Sequence, residues 1–220
     1  MSYPINTSNC KAIISSVSKG VAKSVLFNGG LFGRVAYFDG SVSLKTVKLD
    51  PTSDNSVSFS FFAENVSSSP RIISDFTTER MLHLYCLSNG SLILGTTDSS
   101  GFTQTTLLPV GGIVDNTIYR VNLNYTVATK TWSASVNGSA TPSHTHSGTF
   151  TLANFGDITL ADSASGAGVN LVGSIWDVNI NNTNAYAGHG PAVGNWVDLI
   201  GSDVISPTDI AKLTLYTGSV

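Results

Sequence analysis

The sequence predicts an all-β chain folded as a two-sheet antiparallel jelly-roll sandwich with one short C-terminal helix, and three observations carry that expectation. Short runs rich in Val, Ile, Phe, Tyr and Thr recur from residue 24 onward between clusters of Gly, Asn and Asp, which is the spacing of strands in a sandwich. Several runs alternate apolar and polar residues with a period of two, as half-buried strands do. No stretch before residue 200 repeats its apolar positions at helical spacing. At 220 residues, one such sandwich buries enough apolar surface to stand as a single domain, expected over residues 24–220.

Taken in order, residues 1–23 alternate weakly and carry Lys11, Lys19 and Lys23 among small residues, which reads as an arm or a first edge strand. Strands are expected at 25–27 and 34–38 around the Asn28-Gly29-Gly30 turn, then at 42–49 after Asp39-Gly40. In 56–63, Val57, Phe59 and Phe61 point to one face and Ser58, Ser60 and Phe62 to the other. Runs at 71–76 and 81–87 follow, the second almost continuously apolar, and Ser88-Asn89-Gly90 turns the chain into 91–96. Residues 118–125 alternate cleanly and pair back with 131–136, which ends on Asn137-Gly138. Further strands are expected at 150–152, 157–160 and 174–180. Ser206 as N-cap, Pro207 at the first helical position and Asp209 in the first turn predict a helix over 207–213.

Composition narrows function. Charged residues make up 11% of the chain, where about a quarter is usual, and Ser, Thr, Asn and Gly take their place. A net charge of −3 with scattered Lys and Arg offers no attraction to phosphate backbones, so nucleic acid is excluded as a partner. No run approaches the roughly 18 apolar residues that span a bilayer, so membrane insertion is not expected. The first residues lack a basic region followed by an apolar one, so no signal peptide is expected and synthesis in the cytoplasm of the producing cell is. Cys10 lies in a polar stretch and Cys86 in an apolar run; both read as thiols rather than a bridge.

Three segments, in order, carry a resemblance. Ala36-Tyr37-Phe38-Asp39-Gly40-Ser41 resembles an "aromatic-Asp-Gly-Ser" opening strand and turn. The hairpin of 118–125 with 131–138 is similar to a central hairpin ending on "Val-Asn-Gly". Gly173-Ser174-Ile175-Trp176-Asp177-Val178-Asn179-Ile180 resembles a "Gly-x-Ile-x-Asp-Val-x-Ile" strand, and Ile205 to Leu213 resembles the "Leu-Ser-x-x-Glu-Ile-x-x-Leu" helix that follows it. Together they resemble the laminin-G-like branch of the concanavalin A-like lectin and glucanase superfamily over residues 24–215. A Gly- and Asn-rich insertion at 181–204 separates the last two pieces and departs from the family pattern. Such domains occur in cell-surface proteins, carbohydrate-binding modules, glucanases and the tail and head appendages of bacteriophages, and this composition is most similar to the phage examples. The resemblance implies a non-enzymatic virion protein, associated with capsid or tail, that presents a lectin-like sandwich for assembly or for attachment to a host surface polysaccharide. Its expected partners are other virion proteins or itself, as a homo-oligomer with a trimer favoured. A free-standing carbohydrate-binding lectin is the alternative, and a hydrolase with an unrecognised site is a third reading.

The residues that carry chemistry are few. Glucanases of this superfamily use carboxylates spaced two apart on one strand, whereas this chain has only Glu64 and Glu79 as glutamates and no acid-x-acid pair. No Gly-x-Ser-x-Gly elbow appears either, so no enzymatic role is expected. His144-Thr145-His146 places two imidazoles on one face of a strand, as metal ligation requires. A third ligand from Asp157, Asp162 or a neighbouring chain would be needed, and surface histidines in an exposed loop at 141–148 are the ordinary alternative. No cofactor is required. The resemblance implies calcium as an optional ion at the loop rim, with Asp75, Asp98, Asp115 and Asp162 as its ligands, against an ordinary turn-capping role for each. Trp132 and Trp176 read as core; Trp196, with Tyr186 and His189 in the same insertion, reads as the glycan contact.

Overall fold

A computed structural model describes residues 38–40, 44–45, 48–75, 79–151, 158–161 and 169–186. Residues 1–23, expected as an arm or a first edge strand, the expected strand at 25–27, residues 187–204 of the insertion and the expected helix at 207–213 lie outside the described residues. Within them the chain is all-β, apart from a single 3-10 turn at Val66–Ser68. The strands are β1 (Phe38–Asp39), β2 (Leu44–Lys45), β3 (Asn55–Ala63), β4 (Pro70–Asp75), β5 (Arg80–Cys86), β6 (Leu92–Asp98), β7 (Gly101–Leu108), β8 (Tyr119–Thr126), β9 (Thr131–Val136), β10 (Ser139–Ala140), β11 (His144–Thr145), β12 (Ile158–Leu160), β13 (Val169–Asn170), β14 (Val172–Ile180) and β15 (Thr183–Tyr186).

They form two sheets. The first has the order β1-β14-β3-β8-β9-β10, with β11 also on β9 and β15 also on β14; the second runs β2-β12-β4-β5-β6-β7, with β13 on β4. All pairings are antiparallel except β13 on β4. The meander β4 to β7 builds most of the second sheet, after which β8 and β9 return to the first. Strand β14 then inserts between β1 and β3. This crossing between two facing sheets is the jelly-roll arrangement.

Alternation explains which side chains enter the core. On β3, Val57, Phe59 and Phe61 are buried between the sheets, and on β8 Val121 and Leu123 join them. Ile72, Leu82, Leu84, Leu92 and Leu94 face them from the second sheet. Trp132 crosses the layer, fully buried, and its Nε1 donates to the Met81 carbonyl at 2.9 Å. Trp176 is also buried, but it lies on the outer side of the first sheet against Phe62, ring centroids 6.4 Å apart. Two details differ from the sequence expectation. Phe150 and Thr151 form no strand, and β7 is a strand that the apolar pattern did not announce. The inward positions of β7 include Thr103 and Thr105, not aliphatics, because a histidine rather than a hydrocarbon packs against them.

Candidate functional site

That histidine is His144. It is 1% exposed, and its two ring nitrogens hydrogen-bond Thr96 Oγ1 on β6 and Thr105 Oγ1 on β7, each at 3.0 Å. Strand β11 belongs to the first sheet, so His144 ties the two sheets together at one margin. Burial and the neighbouring His146 push its pKa down to about 4, against a smaller opposing pull from Asp98. His146, 4% exposed, makes a second tie: Nδ1 meets Asp98 Oδ2 at 2.9 Å and Nε2 meets the Tyr125 hydroxyl at 2.9 Å. The expected exposed loop at 141–148 is therefore corrected at both histidines. The His-x-His spacing does place both rings on one face, but that face is turned inward and both rings are fully hydrogen-bonded. The chain of bonds from Asp98 to Tyr125 has the form of a proton relay, with Tyr125 at its far end only 2% exposed.

The expected calcium ligands are spread over the fold. Asp98 Oδ1 caps the β6–β7 turn through the Ser100 N–H at 2.7 Å, and its Oδ2 accepts the Gly148 N–H at 2.6 Å. Burial works to raise its pKa, but these hydrogen bonds and His146 outweigh it and hold the carboxyl below its ordinary value. Asp115 accepts the Val66 N–H at 2.8 Å. Asp75 is buried and accepts the Met81 and Leu82 N–H groups at 3.1 and 2.7 Å; desolvation raises its pKa to about 7 against those bonds and Arg80. Among the described residues no three His, Cys, Asp or Glu side chains converge as a metal site. Asp162, His189 and Trp196 lie outside the described residues. Tyr186 ends β15, paired with Val178 on the first sheet.

The structure assembles a different set of residues on the outer face of the second sheet. Since Leu82, Leu84 and Cys86 enter the core, His83 and Tyr85 point outward by alternation. Two register irregularities lie on adjacent strands, between Arg71 and Ile73 on β4 and between Arg80 and His83 on β5. Each places two consecutive apolar residues inward, Ile72 with Ile73 and Met81 with Leu82, and so leaves an arginine on the outer face. Asp75 secures the β5 irregularity by accepting its two N–H groups. Cross-strand pairing brings Arg71 opposite Tyr85, with the guanidinium carbon 4.5 Å from the ring centroid.

Arg71, Arg80, His83, Tyr85, Leu87, Thr97 and Phe102 line an open groove of about 550 Å³. The His83 and Tyr85 rings lie 4.7 Å apart on its floor. Tyr85 is held by donation from its hydroxyl to Gln104 Oε1 at 2.5 Å. Phe102, 51% exposed, lies over Gly95, where any Cβ would sit 2.7 Å from the ring. The glycine therefore seats the aromatic wall. Arg80 Nη1 and His83 Nδ1 are 3.0 Å apart. Arginine only donates, so Nδ1 accepts and the neutral ring carries its proton on Nε2. Burial, then the charges of Arg80 and Arg71, push the His83 pKa down to about 3, which agrees with a neutral imidazole.

None of these groove residues was singled out by sequence reasoning. The available signal was His83-x-Tyr85-x-Leu87, three side chains on one face of a strand whose other face is apolar. The irregularities that bring in Arg71 and Arg80 leave no mark in one dimension.

No protein-family model matches the sequence, and no curated protein matches it. Solved structures do. Domains LG4-5 of the mouse laminin α1 chain superpose with a TM-score of 0.51 at 14% identity, covering 92% of this chain and 51% of that one, so this chain spans about half its length. The Ruminococcus gnavus IT-sialidase CBM40 gives 0.49 at 9% identity, covering 68% and 91%. The same module bound to α2,3 sialyllactose gives 0.49 at 10%, covering 82% and 97%. At these identities the likeness to the laminin domains concerns the fold alone, two facing antiparallel sheets in a jelly-roll sandwich.

Proposed function

We propose that this laminin-G-like jelly roll is a non-catalytic, carbohydrate-binding module and that the groove on its second sheet is the contact surface. The observation that carries the reading is the pairing of an exposed aromatic wall, Phe102, with a rigid floor of His83 and Tyr85 and flanking guanidiniums. A pyranose ring offers an apolar face that stacks on an aromatic side chain and a rim of hydroxyls that hydrogen-bond to polar ones. The groove lining contains no carboxylate and no nucleophile with a paired base, which supports binding without turnover. Glu79, the nearest glutamate in sequence, is engaged by the Thr151 N–H at 2.6 Å. Binding of the purified chain to a glycan array, followed by titration calorimetry on the best binder, tests this. Phe102→Ala is expected to weaken binding at least tenfold while leaving the melting temperature nearly unchanged; undiminished binding removes the groove from the mechanism.

A second reading places the module on a bacteriophage particle, where its edges meet other subunits. The observation favouring it is β7. Among the described residues this edge strand pairs only with β6, and residues 101–108 carry no charged side chain. Proteins that stand alone commonly guard such edges with lysine or proline.

A further inference from the structure

We propose that the saccharide taken by this groove is anionic, its oxyanion held by Arg71 and by the Nε2–H of His83; the inference rests on the groove being the carbohydrate site. Its basis is the donor inventory. His83 is 3% exposed, lines the groove, and its Nε2 has no hydrogen-bond partner. Since Nδ1 accepts from Arg80, that unpartnered atom is a donor. Arg71 Nε is also buried without a partner, and arginine has no acceptor to offer. A buried donor left unpaired is unfavourable in the free protein, and an incoming acceptor relieves it.

Charge points the same way. Arg71 and Arg80 are close enough for Arg71 to lower the Arg80 pKa, after the larger effect of burial. Asp75, whose charge acts on Arg80 in the opposite sense, is buried with both oxygens accepting backbone N–H groups and is not part of the groove lining. Two cations and a neutral donor with no acid in the lining form a site for a group with two or three acceptor oxygens and a negative charge. Metal cations are excluded by the same inventory. An extended polyanion such as nucleic acid is disfavoured because the cationic patch is local and the chain as a whole carries −3. Leu87 and Phe102, both exposed, supply the apolar contact that a bare inorganic anion cannot use, so the anion is carried on a sugar ring.

Carboxylate and sulfate share this chemistry, and the test separates them. Calorimetric titration of the full chain would compare a sialylated and a uronate-bearing oligosaccharide, their carboxyl methyl esters, a sulfated oligosaccharide and a neutral one. The acidic sugars are expected to bind at least tenfold tighter than their esters. Arg71→Met, which keeps an unbranched stem over Tyr85, is expected to cut acid binding at least tenfold further than ester binding and so to remove that preference. Preference for the sulfated probe over both carboxylates, lost in Arg71→Met, supports the oxyanion site and identifies sulfate as its occupant. Equal binding of acid and ester, with Phe102→Ala abolishing both, overturns the anionic inference and leaves the carbohydrate reading standing. Loss of all preference for sugar over buffer anion overturns both.

Discussion

At the scale of single residues, Asp75 is the position on which the groove depends most. Its carboxyl is buried, yet it organises the irregular stretch of β5 that turns Arg80 and His83 outward. Its pKa of about 7 in the fold, against an ordinary 3.8, means that the folded state keeps a proton that the unfolded chain has already released. The stabilisation is complete below pH 3.8 and is lost as pH rises through about 7. Asn at this position is neutral at every pH, so the deficit of Asp75→Asn relative to wild type should shrink between pH 4.5 and pH 8 in chemical denaturation. A constant deficit would contradict the burial argument. His144 and His83 act in the opposite sense. Their folded pKa values, about 4 and about 3, lie below the ordinary 6.5, so their contribution is present above pH 6.5 and is lost as pH falls through those values.

Among the elements, β14 decides whether the first sheet exists. It pairs with β1, β3 and β15, and its start approaches β3 so closely that a Cβ on Gly173, where φ is 151°, would collide with the Phe62 carbonyl. Gly173→Ala should therefore destabilise the fold by about 3 kcal/mol, read as a shift in the urea midpoint; a shift under a third of that would mean that β3 and β14 can separate locally. Strands such as β3, β8 and β9 were legible in the sequence because their inward positions are apolar and their turns carry Gly or Asn. Strand β7 was not, since inward threonines that serve His144 alternate with Phe102, Gln104 and Thr106, so no apolar face repeats at a period of two. The histidine pair was noticed for its spacing, but spacing alone does not distinguish a metal face from an inward one. The groove was hidden for a related reason: on β5 the near-continuous apolar run drew attention to the core side, and only the three-dimensional register shows that Arg71 faces Tyr85.

For the whole molecule, the sandwich is tied along one margin by polar contacts, His144 with Thr96 and Thr105 and His146 with Asp98 and Tyr125, beside the uncharged edge of β7. If that edge meets another subunit, light scattering should give a defined oligomer, with a trimer expected, and Thr106→Lys, at an exposed position of the strand, should reduce it to monomers of unchanged melting temperature. A monomeric wild type would leave the free-standing lectin as the surviving reading. The insertion of β14 between β1 and β3 also has a consequence for biosynthesis. Ala63 pairs with Gly173, so the first sheet cannot close until the ribosome has delivered the later strand, which at ordinary elongation rates is on the order of ten seconds after the earlier one. Throughout that interval the edge of β3 that receives β14 waits with its backbone unpaired, and chaperone occupancy of nascent chains stalled before and after residue 180 should differ accordingly.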